Sequence, residues 1–376
     1  MSLLSISRPQ AQTDPRPDLA DLHAGLCTLG AHYDATPAFP VESLDVLTRA
    51  GLHRRYAPLA SGGTSFGSAR LEGLDLLDSL RVVGRADLSL GRLFEGHVNA
   101  LKLFAWYGAL DQTRRLGDHL DRGLYYGVWA TEPAPGVRII GTGDTAILEG
   151  AKAFATGAGG LGFAVITARA EVGPRRMVIV PADTTGRTDL SGWQVRGMRA
   201  TGSGLYDVTG LPAAREVCLG APGDYDREPR FTAGAWRFTA VQLGGIEGLL
   251  MELRLAMSEG ARSDPLQRAK FAEAVVATRT AGFWVREAAL RSADEDPDAP
   301  AFVQMTRGVV ERAGLDVMEL AARIVGTRSA FDGQRIDKIS RDLSLYLRQA
   351  GPDHARDQAA QAWLDHDVWS ADDRLW

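Results

Sequence analysis

The hydrophobic period of this chain changes twice, and the order of the changes limits the folds open to it. In "LSLGRLFEGHVNALKLFAWYG" (88–108), Leu90, Phe94, Leu101 and Phe104 recur at the spacing of one helix face, and His97 lies on the same stripe. Earlier, "FPVESLDVLTRAGL" (39–52) places Leu44, Leu47 and Gly51 together, and "LASGGTSFGSA" (59–69) reads as a glycine and serine loop. Near residue 124 the texture breaks. "GVWATEPAPGVRIIG" is interrupted by prolines, then come "RII", "AILEGAKAFAT", "GFAVITARA", "RRMVIVPAD" and "GLYDVTGLP". Short apolar runs rich in Val, Ile and Thr, spaced by Gly, Pro and Asp, predict an antiparallel β module. From about residue 230 the helical period returns. Leu243, Ile246, Leu250, Leu253 and Met257 share a face, as do Phe271, Val275, Thr278, Gly282 and Val285. Leu315, Met318, Ala322 and Val325 mark a third face, and "RSADEDPDAPA" (291–301) is a solvated connection.

Helices, a β module and long helices, with no internal repeat, predict an α+β chain in three parts. These are an N-terminal helical domain (1–123), a barrel-like middle β domain (124–228) and a C-terminal helical bundle (229–376). The 376 residues, 45% hydrophobic and 24% charged with a net charge of -5, suit a soluble globular protein and lack the basic footprint of a nucleic-acid binder. Cys27 and Cys218 are too few and too far apart in sequence for a disulfide framework or a zinc site. No apolar run is long enough for a membrane span, and "MSLLSISRPQAQTDPRPD" has no signal-peptide pattern. A soluble, cytoplasmic protein with a small-molecule substrate is expected.

"GAGGLG" (157–162) matches the dinucleotide fingerprint G-x-G-x-x-G, and Asp183 follows at about the expected spacing. That mechanism needs a helix after the glycines, whose N-terminus meets the pyrophosphate. "FAVITARAEVGPRRMVIV" instead reads as two strands joined by a Gly-Pro turn, so the glycines are assigned to a β turn.

Several motifs then fall into one order. "TEP" (131–133), "GAKAFATGA" (150–158), "GMRATGSG" (197–204), "ARIVGTRSAF" (322–331) and the pair Arg341 and Asp342 follow the helix at 39–52. The series resembles the acyl-CoA dehydrogenase superfamily of FAD flavoproteins, from roughly residue 35 to 350. The resemblance implies a helical domain, a β domain and a C-terminal four-helix bundle, FAD as cofactor, and a homodimer or homotetramer. It implies that Thr131 donates to the flavin, that Thr156 bonds near N5, and that Phe154 forms the aromatic wall where the family usually has Trp. It also implies that Arg262 in "GARSDP" and the Gly326 turn hold the second half of FAD. The aromatic-glycine pair after that arginine is missing, and Gly326 is followed by Thr327 where a second glycine is common.

By resemblance, the activity is acyl-CoA dehydrogenation, in which a carboxylate takes an α-proton; a positioned base contributes about 10²–10⁴ in rate. Neither of the family's two places for that glutamate holds one: Ala350 and Trp236 stand there. Glu247 is a candidate displaced base, or a helix-surface glutamate at the edge of an apolar face. Where the family usually has Gly-Ser-Asp after Thr-Glu-Pro, this chain has Val137 and Arg138. Flavin monooxygenases on the same fold need no α-proton base but need a donor facing the flavin. His97 is a candidate for that role or a core histidine satisfied by a neighbour, and His354 is a second candidate. The sequence thus leaves three functions open. The first is an FAD-dependent oxidoreductase acting on an acyl-CoA or acyl-like substrate. The second is a flavin monooxygenase, and the third a degenerate flavin-binding or scaffold protein without dehydrogenase activity.

Overall fold

The computed structural model describes residues 19–349 and 351–365. Residues 1–18, Ala350 and residues 366–376 lie outside the described residues. Helices come first: α1 (Leu19–Ala35), α2 (Val41–Arg49), the single turn α3 (Leu52–Arg55), α4 (Ala69–Ala86), α5 (Leu88–Tyr107) and α6 (Leu110–Asp121). Local chemistry starts two of them. The Ser68 hydroxyl accepts from Leu71 N–H at the head of α4, and the Asp87 carboxylate accepts from Leu90 N–H at the head of α5.

The strands follow: β1 (Tyr126–Trp129), β2 (Arg138–Ile140), β3 (Ile147–Glu149), β4 (Ala151–Ala155), β5 (Phe163–Ala168), β6 (Arg176–Pro181), β7 (Thr188–Asp189), β8 (Gly204–Asp207) and β9 (Cys218–Leu219). They form a four-stranded sheet ordered β1-β5-β6-β9, a β2-β3 pair and a three-stranded β4-β8-β7 sheet. As read from the sequence, residues 157–162 form turns, and β5 and β6 pair antiparallel behind them. One pairing departs from the antiparallel expectation: β1 runs parallel to β5, Tyr126 opposite Phe163. The chain between them passes through β2, β3 and β4, a crossover long enough for parallel strands, and alternation within one strand carries no sign of its partner's direction.

Helices then close the chain: α7 (Arg230–Ala233), α8 (Trp236–Ala256), α9 (Glu259–Ser263), α10 (Pro265–Ala293), α11 (Ala299–Val325), α12 (Arg335–Tyr346) and α13 (Pro352–Leu364). α8 is central, packed by α4, α5, α10, α11 and α12. Glycines allow α4 and α8 to come close: a Cβ on Gly244 would lie 2.2 Å from the Arg81 carbonyl oxygen. α4 packs on both α8 and α10, so a helix of the N-terminal third joins the C-terminal bundle. α5 touches α4 and α8 as well as β1, which makes it the strut between the helices and the β module.

The face expected for α11 is corrected. Leu315 is exposed, and the buried stripe is Val303, Thr306, Val310, Ala313, Val317 and Ala321. Small residues permit the close approach there, with Gly314 against Leu347, so the largest side chains do not mark the contact. Among the described residues no helix is long and apolar enough to cross a membrane.

Candidate active site

The register of β4 against β8 slips between Lys152 and Ala155, and this bulge builds one wall of a site. Phe154 sits in the slip with φ 51 and is 67% exposed, an unusual state for an aromatic residue in a strand. On the other side of the strand, Lys152 is fully buried. Its ammonium pairs with Glu132 and donates to Thr167 Oγ1 at 3.0 Å. Burial lowers the Lys152 pKa, and the Glu132 carboxylate opposes that shift. Ala153 N–H donates to the Thr131 carbonyl at 3.0 Å. The Thr-Glu-Pro and Lys-x-Phe-x-Thr segments are therefore two halves of one joint.

Thr156 follows the bulge. Its carbonyl accepts from Trp129 Nε1 at 3.0 Å, and its hydroxyl shares a 3.0 Å hydrogen bond with Ser203. Ser203 donates to Thr201 at 3.0 Å, and Thr201 donates to the Met198 carbonyl at 2.9 Å. A narrow cleft opens beside Thr156, lined by Arg92, Leu93 and Gly96 of α5 and by Val128 and Trp129 of β1. Arg92 pairs with Glu95, and Glu95 also accepts from Asn99. Burial disfavours the Arg92 charge, but the Glu95 carboxylate holds its pKa above the ordinary value. Sequence reading passed over Arg92, Glu95 and Asn99. Their spacing of three and four residues on an otherwise apolar helix was the available signal.

The remaining candidates are scattered. His97 is fully buried; Nε2 meets the His53 carbonyl at 2.6 Å, and Nδ1 accepts from Tyr126 N–H at 3.0 Å. Both ring nitrogens are used by backbone, so His97 has no donor left for a ligand, and the core alternative is the one the geometry supports. Glu247 faces α4 rather than the cleft, bound to Arg81 at 2.7 Å. His354 is exposed on α13. Arg262 bends back on its own chain, donating to the Met257 carbonyl at 3.1 Å and to the Arg254 carbonyl. Gly326 ends α11 with φ 70, a backbone state that favours glycine. Trp236 is buried at the head of α8. Val137 is buried, and Arg138 pairs with Glu149 across β2 and β3.

Residues 230–361 match the family profile "Acyl-CoA dehydrogenase, C-terminal domain". Over most of its length, the structure is similar to butyryl-CoA dehydrogenase from Megasphaera elsdenii, with TM-score 0.79 and 17% identity, covering 95% of this chain and 100% of that one. The chain has the acyl-CoA dehydrogenase fold. Two further solved structures with this fold are monooxygenases. The dibenzothiophene monooxygenase TdsC from Paenibacillus sp. A11-2 has TM-score 0.81 and 19% identity, covering 93% of this chain and 96% of that one. TdsC has also been crystallised with FMN and indole. The methanesulfinate monooxygenase MsuC from Pseudomonas fluorescens has TM-score 0.81 and 20% identity, covering 94% and 97%. No curated protein sequence matches.

On this acyl-CoA dehydrogenase fold, two of the late motifs turn out to be each other's partners. Met198, with φ 55, gives its N–H to Asp342 Oδ1 at 2.5 Å, and Arg341 donates to the Arg196 carbonyl at 2.5 Å. A Cβ on Gly197 would lie 2.1 Å from the Arg341 carbonyl oxygen. Together they form a structural joint, which holds the turn before Thr201 and Ser203 and so backs the Thr156 hydroxyl.

Proposed function

We propose that this chain is a flavin-dependent monooxygenase acting on a small molecule. The observation that carries the reading is the polar make-up of the Thr156 cleft, where the side chains offering hydrogen bonds are a guanidinium and a hydroxyl. Arg92 is a donor without acceptor capacity. Such groups stabilise negative charge that develops on oxygen or on a ring system, and they do not abstract a proton.

The residues fit the isoalloxazine half of a flavin. Exposed Phe154 supplies an apolar face in need of cover, Thr156 a hydroxyl backed by Ser203, and Thr131 lies exposed on the adjoining segment. When bound, a flavin supplies the redox chemistry; the chain binds it, orients it and screens it from water. The dinucleotide end is less provided for, because Arg262 spends two nitrogens on backbone carbonyls. FAD, expected from the sequence, and FMN, present in the TdsC complex, are the two candidates.

The dehydrogenase reading needs a carboxylate free to take a proton. Glu247 is held by Arg81 through Oε1 and faces α4 rather than the cleft, so its unpartnered, buried Oε2 does not reach the Thr156 site, and Glu95 is bound by Arg92 and Asn99. A cytoplasmic location and a homodimer or homotetramer belong to this proposal as well. Val276 and Phe283, seven residues apart on α10 and both exposed, support an apolar contact that sedimentation velocity would detect.

The deciding experiment begins with the visible spectrum of the purified protein after incubation with FMN or FAD. A colourless product would leave the scaffold reading alone. A yellow protein is mixed anaerobically with a panel of acyl-CoAs, and bleaching would overturn the monooxygenase proposal in favour of dehydrogenation. The expected result is no bleaching, followed by consumption of oxygen once the flavin is reduced chemically and incorporation of ¹⁸O from O₂ into an added acceptor.

A further inference from the structure

A second cleft lies between α4, α5, α7, the head of α8 and the end of α10. Its cavity of about 130 Å³ is close to the roughly 150 Å³ that admits a benzene ring. Trp106 and Trp236 supply aromatic walls, and the charged residues along it are Glu72, Lys102, Arg230, Arg237 and Glu295. Two of the cations are neutralised: Lys102 pairs with Glu72, and Arg230 with Glu295 at 2.7 Å. Arg237 is not. It is 7% exposed, and among the described residues no carboxylate lies within ion-pair distance of it. Its Nε donates to the neutral Asn99 side chain at 2.5 Å, and Glu95, the nearest acid along that chain of bonds, is taken by Arg92 and Asn99. Above all burial, with Glu95 and Glu72 opposing it, pushes the Arg237 pKa down to about 10. Lys102 is likewise lowered by burial, and the Arg237 charge adds to that shift.

The backbone makes room for this guanidinium. A Cβ on Gly234 would lie 2.6 Å from Arg237 Nη2, although Gly234 has an ordinary helical φ of -55. The missing side chain therefore serves space rather than conformation. Arg237 also lies 6.0 Å from the Trp106 ring centroid, and Arg230 lies 5.2 Å from the same ring. An unpaired cation held out of water is costly, by several kcal/mol per ion, unless something compensates for it.

We propose that the Arg237 cleft binds the carboxylate of a small aromatic acid. The charges leave one positive unit over, which matches a monoanion. The planar guanidinium fork matches a carboxylate, and the tryptophan walls match an aromatic ring. The site does not depend on the flavin reading. Asn99 nevertheless connects it through Glu95 to Arg92 at the Thr156 cleft, two turns away along α5 or about 10 Å.

The test uses the full chain without added flavin and follows tryptophan fluorescence and thermal midpoint at constant ionic strength. Benzoate is the probe, with benzamide as its uncharged counterpart, and acetate and phosphate as the anions lacking a ring or carrying more charge. Saturable benzoate binding, at least tenfold weaker for benzamide, acetate and phosphate, is expected. Arg237→Gln should lose the benzoate response at least tenfold, and Arg237→Lys should fall between. Should Arg237→Gln fail to fold, benzoate must protect Arg237 in the wild-type chain from phenylglyoxal, read by peptide mass spectrometry. Benzamide binding as well as benzoate, a benzoate response retained in Arg237→Gln, preference for phosphate, absence of saturable binding, or unprotected Arg237 would each overturn the proposal.

Discussion

His97 accepts a backbone N–H through Nδ1, so its neutral form is part of the fold. Protonating Nδ1 would break the bond from Tyr126, and burial lowers the pKa from 6.5 to about 3. An unfolded chain takes that proton near pH 6.5, whereas the folded chain refuses it until about pH 3. The stability His97 lends is therefore complete above 6.5 and is lost as pH falls towards 3, at most about 1.4 kcal/mol per pH unit. Urea unfolding of wild type and His97→Asn at pH 7 and pH 5 should show a smaller acid loss in the variant, and a lower stability by ~1–3 kcal/mol at pH 7 from the unmatched backbone group. At Thr156 the expectation is opposite in kind. Thr156→Val should weaken flavin binding at least tenfold by fluorescence titration while changing stability by about 1 kcal/mol or less, because the lost partner, Ser203, keeps its bond to Thr201. The two residues also differ in legibility. His97 stood out by type and proved to be core, whereas Arg92 carried a charge on a buried helix and was overlooked.

Among elements, α12 is the clamp. Lys338 bridges Asp87 and Asp342 at 2.7 Å each, tying α12 to the head of α5, while Asp342 holds Met198 and Arg341 pairs with Asp34 and Asp337. Removing one member of a buried ion cluster leaves the others uncompensated. Asp342→Ala should cost about 3–5 kcal/mol in urea unfolding, and Asp342→Asn less, since an amide oxygen can still accept from Met198. Caps and breakers act locally, Asp87, Ser68 and Gly326 each within a turn of their own position, and the run read as one face over 39–52 breaks after Arg49, where Gly51 takes φ 73. The facing of α11 was not readable, because Gly314 and Ala313 mark a close contact by being small.

For the whole molecule, the motif series exposed the fold, and a bound cofactor should be measurable as stability. Flavin at a hundred times its Kd should raise unfolding free energy by about 2.7 kcal/mol, seen as a rise in thermal midpoint that saturates with concentration. Comparing FMN with FAD locates the dinucleotide end. Arg262→Gln should weaken FAD and leave FMN unchanged if Arg262 exchanges its carbonyl partners for phosphate; equal effects on both would place Arg262 as a cap of α8 and no more.

The order of helical and strand regions, the rejection of a dinucleotide helix after Gly162, and the positions of the motifs all came from the sequence, because periodicity and turns act over a few residues. Which polar groups meet was decided by tertiary structure. Glu132 finds Lys152, Met198 finds Asp342, and among the described residues Arg237 reaches Asn99 but no carboxylate. Those pairings join residues 20 to 144 positions apart. Burial fixes what each is worth, and burial belongs to the packed molecule rather than to the local chain.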